Sequence, residues 1–454
     1  MPRVAEVPMP EAEARDKFLT IFGPDPDNFG SGFGHARFMK SAILLVTCVF
    51  GAALSQAAQP AGYVAHEWGT FTSVQGADGA QMDWNPLVTT ELPKFVYDRS
   101  RPRAGIFPLA GKSGTVARQR LETPVIYFYS AQEQQVAASV TFPEGTVTEW
   151  YPQQNPVPRS ILKPNEPAAR WLNLSILAPS AKAPALLKEA AGSHYYAARA
   201  TDSNLVQIAT PDGKVETEKF LFYRGIGSFM APVTVKQATP LGAELTLRNS
   251  GGEPLAGMVV YEVRGKEARF SWVPTLAAGE ERAFSFPGGS AFEPLSTARV
   301  RLAADLRRVL TAAGLYEAEA AAMVQTWDDA WLAEAGLRVL YVIPRAWTDR
   351  TLPLTLDPKP RELARVMVGR AEVIPAAVEQ RLQTLVERYL QENEQARNVT
   401  VEEIRGLALG RFAEPAMRRV CGRQSQNKEF LNAAWEVLYK AYAPSPQPPV
   451  VAKG

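Results

Sequence analysis

The chain is expected to be a multidomain α+β protein: a β-rich, sandwich-type amino-terminal region, an immunoglobulin-like β-sandwich, and a mixed, mainly helical carboxy-terminal domain. Three observations predict this. Across residues 61–286, short runs rich in Val, Ile, Thr, Tyr, Phe and Trp are punctuated by Pro and Gly turns, which is the pattern of strands. Inside that region AELTLRN (243–249) alternates strictly, with Ala243, Leu245 and Leu247 on one face and Glu244, Thr246 and Arg248 on the other. After Ser296 the apolar period changes to that of a helix.

In chain order, a polar leader (1–38) precedes MKSAILLVTCVFGAALSQAAQP (39–60). Basic residues, a short apolar run and small residues at Ser55 and Ala57 read as a signal peptide over 39–57. Met39 is therefore expected to be the true start, the alternative being a short cytoplasmic tail before an uncleaved anchor. The apolar run falls short of the ~20 residues that a membrane span needs, and no later stretch approaches that length, so no stable transmembrane anchor is expected. Removing the five Lys/Arg and six Asp/Glu of residues 1–57 from totals of 49 and 47 leaves 44 against 41. Near-neutral charge without a basic run argues against nucleic acid as a partner. Of two cysteines, Cys48 leaves with the signal and Cys421 stands alone, which precludes an internal disulfide.

A β-rich domain is expected over 58–228, with strands at PVIYFYS (124–130), QVAASVTF (135–142) and TVTEWYP (146–152), and a Pro-Asp-Gly turn at 211–213. Residues 229–292 read as the immunoglobulin-like sandwich, because AELTLRN, MVVYEVRG, RFSWVP and AAGEERAFSF follow one another at sandwich spacing. Residues 293–442 read as the mixed α/β domain. TARVRLAADLRRVLTAAG (297–314) puts Leu302, Leu306, Val309 and Leu310 on one helical face, and the next helix stacks Met323, Trp327 and Trp331. LRVLYVIP and ELARVMVGR read as strands, two further helices follow, and a disordered tail (443–454) closes the chain.

Few residues suggest chemistry. HEWGT (66–70) lacks the second histidine of a zinc-protease helix and reads as a strand, with Val64, His66, Trp68, Thr70 and Thr72 on one face and Glu67, Gly69 and Phe71 on the other. Packing of Trp68 and Phe71 is the expected role, with His66 or Glu67 as the residue that does more. Export would leave His66 and His194, which rules out a three-His metal site, and no spacing brings these two together. DGAQMD (78–83) lacks calcium-loop spacing, and GIFPLAGKS (105–113) misses that of a phosphate loop. The cofactor, if one is used, is left open by these residues. The strongest enzymatic arrangement is a pair of carboxylates, Glu122 and Glu149, each bordering an aromatic strand, as a glycan hydrolase requires. His66, Glu67, Trp68, Trp150, Arg199, Asp202, Tyr223 and Arg224 are the candidate binding residues around them.

Taken together, HEWGTFTSVQG, ETPVIYFYS, TEWYP, EKFLFYRGIG, GLYEAEAAAMVQTWDDAW, and LRVLYVIPR with TDRTLPL, resemble a group of exported bacterial proteins to which no activity is attached. The resemblance covers most of residues 62–370. It implies export and a bacterial source and transfers no catalytic residue. The expected function is that of an exported binding or scaffolding protein, periplasmic or at the cell surface, with a glycan or another envelope protein as partner. The alternative is a secreted glycan hydrolase using Glu122 and Glu149.

Overall fold

The computed structural model describes residues 62–87, 92–99, 116–157, 166–179, 183–190, 192–237, 244–287 and 291–442. The expected leader, signal peptide and tail, and the loop GIFPLAGKS, lie outside them.

The first half of the described chain is strand after strand: β1 (Val64–Gly76), β2 (Tyr97–Asp98), β3 (Gln119–Tyr129), β4 (Gln134–Thr141), β5 (Gly145–Tyr151) and β6 (Pro167–Ile176). A 3-10 turn at His194–Arg199 precedes β7 (Val206–Ala209), β8 (Val215–Glu218), β9 (Leu221–Gly227) and β10 (Val233–Gln237). Next come β11 (Leu245–Asn249), β12 (Ala256–Arg264), β13 (Glu267–Val273), β14 (Glu281–Phe284) and β15 (Glu293–Pro294). The helical hairpin α1 (Leu295–Ala312) and α2 (Glu317–Leu332) follows. Then come β16 (Gly336–Ile343), α3 (Arg345–Thr351), β17 (Leu354–Asp357) and β18 (Glu362–Ile374). Four helices end the described chain: α4 (Ala376–Gln391), α5 (Glu394–Gly406), α6 (Ala413–Arg423) and α7 (Lys428–Tyr442).

Ten strands form one sheet in the order β15-β13-β12-β16-β18-β1-β3-β9-β5-β2. Its centre is the pairing of β1 with β18, the one parallel ladder among the described residues, with Trp68 opposite Val366 and Thr72 opposite Arg370. Both faces of this sheet are covered, so the central strands β1 and β18 bury polar and apolar side chains alike. On one face, Phe71, Leu121, Ile126, Tyr223, Val339 and Met367 pack against a five-stranded sheet (β17-β4-β6-β7-β8) and a three-stranded sheet (β10-β11-β14). On the other, Trp68, Val125, Tyr127, Phe222, Leu340 and Val366 pack against α1 and α2.

The hairpin fits the sheet because its apolar ridges match the expected ones: Leu302, Leu306 and Leu310 on α1, and Met323, Trp327 and Trp331 on α2, are buried together. Each fully buried Leu is worth about 1.5–3 kcal/mol relative to an exposed one. A third core joins α4–α7 to the ends of the central strands through Val74, Trp84 and Ile374, with Trp84 and Phe412 ring centroids 5.9 Å apart.

The described residues from 62 to 442, on both sides of 228/229 and 292/293, belong to one compact unit. The segment expected as a separate immunoglobulin-like sandwich divides its strands: β12 and β13 extend the large sheet beside β16, while β10, β11 and β14 make the small one. The reason is that β12 alternates between the two cores, Met258 and Val260 facing the small sheets while Val259 and Tyr261 face the helices. No helix among the described residues is long and apolar enough to cross a membrane.

Candidate functional site

Two bulges decide where the candidate acids point. In β3, Thr70 of β1 faces Glu122 while Trp68 faces Val125, so β3 carries one extra residue there. The extra residue lies at Thr123, whose φ of 50 is rare for a β-branched side chain, next to Pro124, which cannot donate to the ladder. Room for the bulge comes from across the strand, where a Cβ on Gly69 would lie 3.0 Å from Pro124 Cα. In β5, Val147 pairs Gly225 and Glu149 pairs Arg224, so Thr148 is the extra residue. Bulges re-aim side chains. Here they turn Glu122, Thr148 and Glu149 toward the helical face of the sheet.

What they meet is a buried polar layer. Thr72 Oγ1 donates to Glu122 Oε2 at 2.7 Å, and Arg411 Nη1 to Glu122 Oε1 at 2.5 Å. Arg120 reaches Glu149 at 3.1 Å and Thr148 Oγ1 at 3.3 Å. Further along, Arg370 and Arg338 both bind Glu372, at 2.7 and 3.1 Å. These two arginines also donate to carbonyls at the end of α2: Arg370 to Ala330 (2.8 Å), and Arg338 to Trp331 (2.8 Å) and Glu334 (2.6 Å). A helix end leaves such carbonyls without partners, and cations complement its dipole. Burial would raise the Glu122 carboxyl, but Arg411, Thr72, Arg224 and Arg120 outweigh it and hold it down at about 2. Burial, then neighbouring Arg120, push Arg224 down to about 10.

His66 belongs to a second cluster on the same face. Its Nδ1 lies 2.8 Å from Glu319 Oε2, near the start of α2. The same carboxylate accepts from Tyr129 Oη at 2.7 Å and from the Tyr316 backbone N–H at 2.8 Å, the latter closing a capping box. Tyr316 covers the imidazole at 4.3 Å between ring centroids. Nε2 of His66 is buried without a hydrogen bond among the described residues, 3.9 Å from Glu362 Oε1. Burial first, then Glu319, raise the Tyr129 hydroxyl far above its ordinary value.

Glu67 points the opposite way, as alternation requires. It accepts from Tyr223 Oη and from Arg365 Nε, both at 2.5 Å, and Arg365 continues to Asp349 at 2.7 Å. Burial, followed by Glu67, raises the Tyr223 hydroxyl well above its usual range. Trp150 lies on this face too, stacked on Tyr97 at 6.1 Å.

The candidate residues therefore separate. Glu122, Glu149 and Arg224 come together on the helical face, and His66 and Trp68 lie on that face nearer the start of α2. Glu67, Trp150 and Tyr223 face the small sheets. Arg199 is engaged elsewhere, on Glu218 at 2.6 Å, and Asp202 is an exposed residue beyond it. His194 bonds Thr326 and Asp329, seven or more residues along α2 from the Glu319 that holds His66, which is about 10 Å of helix axis. The two histidines thus meet different turns. Cys421 is buried, and burial pushes its thiol up.

Arg120, Arg338, Arg365, Arg370, Arg411 and Glu319 were not among the residues singled out from sequence. Arginines inside apolar strands, as in ELARVMVGR, were the available signal, since a charge is rarely buried without a partner. A surface hollow of about 580 Å³ lies away from these clusters, at Arg423–Glu429 between α6 and α7.

No family model matches the chain, and no curated protein does. Among solved structures, two of the yeast delta-COP-I mu-homology domain, one of them with a Dsl1 WxWxV peptide, align at 8% identity. Each covers 69% of this chain and 98% of that domain, with a TM-score of 0.27.

Proposed function

We propose that the protein is an exported binding or scaffolding protein of the cell envelope, periplasmic or at the cell surface, with a glycan or another envelope protein as its partner. The signal-like segment 39–57 motivates the location. The observation that carries the binding reading is the surroundings of the two acids. Glu122 is held ionised at about 2 by arginines, and Glu149 is paired to Arg120. A glycan hydrolase needs one carboxyl kept protonated near neutral pH and aromatic platforms beside the pair. Here Trp150 and Tyr223 stand on the other face of the sheet. The sandwich character expected for residues 229–292 enters this reading as layering, since β10, β11 and β14 stack on the large sheet through Val233, Val235, Leu245 and Leu247.

The second reading, hydrolysis by Glu122 and Glu149, draws on one feature: both acids are turned to the same face and both lie beside Arg120. Thermal unfolding against a panel of cell-wall oligosaccharides and envelope-protein fragments separates the two. A ligand at 100 times its Kd adds about 2.7 kcal/mol of stability. A shifted midpoint without turnover is expected. Turnover of a saccharide that disappears in Glu122→Gln and Glu149→Gln would replace binding by hydrolysis.

A further inference from the structure

The arginines of the buried polar layer are not equally satisfied. Arg338 and Arg370 each donate to a carboxylate and to carbonyls of α2, and Arg120 donates to Glu149, Thr148 and the Gly225 carbonyl. Arg224 differs. Its Nε and Nη1 are buried and have no hydrogen-bond partner among the described residues, and the residue as a whole is 8% exposed. Arg411 resembles it: Nη1 holds Glu122, but Nη2 is unpartnered and Nε stops 3.6 Å from Glu334, too long for a hydrogen bond. Thr70, opposite Glu122 in register, also has a buried hydroxyl without a partner.

Charge agrees with geometry. The connected layer sets five arginines (Arg120, Arg224, Arg338, Arg370 and Arg411) against four carboxylates (Glu122, Glu149, Glu334 and Glu372), an excess of one positive charge. Unpaired buried donors destabilise a fold, and more so when charged. An anion with two or more oxygens relieves both the excess charge and the missing bonds, because guanidinium forks match such oxygens. The layer reaches solvent at Arg411 and Glu334, whose side chains are 14% and 37% exposed.

We propose that Arg224, Arg411 and Thr70 form a binding site for an oxyanion, the phosphate, sulfate or carboxylate group of a small ligand, at the bulges of β3 and β5. This rests on the binding reading above and names the chemistry of its ligand.

The test uses the full chain, with phosphate, sulfate and acetate compared against chloride at equal ionic strength, by thermal unfolding and titration calorimetry. Phosphate or sulfate is expected to raise the midpoint beyond chloride and to bind once per chain. A response to acetate as well would assign a carboxylate ligand; a response to the tetrahedral anions alone would assign a phosphate or sulfate group. Arg224→Gln is expected to weaken binding at least tenfold, and Arg224→Lys, which keeps the positive charge beside Glu122 but not the guanidinium fork, is expected to weaken binding as well while unfolding in chloride close to the parent. Thr70→Val, which leaves both arginines in place, is expected to weaken binding several-fold. The site is overturned if no anion exceeds chloride, or if Arg224→Gln responds like the parent. Silence of the anions with a surviving shift from a saccharide or envelope-protein fragment would remove this site and leave the binding reading standing. Silence of both would remove both.

Discussion

Glu122 illustrates how a single carboxylate becomes part of the fold. Its folded value of about 2 lies below the ordinary 4.5, so the folded state binds fewer protons than the unfolded chain as pH falls. Its stabilisation is therefore complete above pH ~4.5 and is lost as pH drops toward 2, about 3 kcal/mol in all. Glu122→Gln should lower stability by a similar amount at pH 7 and flatten the dependence between pH 5 and 2, as read by denaturant unfolding at several pH values. The placement of Glu122 was only partly legible. Strict alternation counted back from Val125 and Tyr127 puts residue 122 with Ile126 and Phe128, on the wrong face. The Pro in RLETPVIYFY was the clue to a bulge, because proline in a central strand marks a break in the ladder. Glu67 and His66 were read correctly as opposed, since no bulge intervenes between them.

At the scale of elements, α2 is held at both ends by residues from distant strands. Glu319 joins its first turn to His66 and Tyr129, while Arg338 and Arg370 bind its last carbonyls. Glu319→Ala removes the cap and leaves His66 Nδ1 and Tyr129 Oη buried without a partner, so a loss of about 3 kcal/mol is expected in denaturant unfolding, with amide exchange accelerated first in residues 317–322. Gly69→Ala should cost about 1–3 kcal/mol in denaturant unfolding, by forcing a methyl to 3.0 Å from both the Pro124 backbone and Met367 Sδ. The helix itself was readable, down to the Met323, Trp327 and Trp331 ridge, because a period of 3.6 is local. Its anchors were not. His66 and Glu319 lie 253 positions apart, and no local pattern links them.

For the whole molecule, the individual strands were legible but not the sheets they join. Residues 229–292 look self-contained because their turns are short and their alternation is clean. Those features describe hairpins and are silent on whether a hairpin's outer edge is capped or extended. Here β12 is extended by β16. A fragment spanning residues 62–292 consequently lacks β16 and β18, the partners of β12 and β1. It is expected to show poorly dispersed amide resonances and no cooperative unfolding. Native-like dispersion would mean that the amino-terminal strands close without them.

The parallel contact of β1 with β18 has a further bearing on synthesis. A polypeptide emerges amino end first, and Glu67 must wait 298 positions for Arg365. During that interval one flank of HEWGTFT has no ladder partner, and an unsatisfied strand edge invites pairing with other chains. The protein's most vulnerable period is thus set by the arrival of its last strand, and anything that shields residues 64–76 until then would act as its natural guardian.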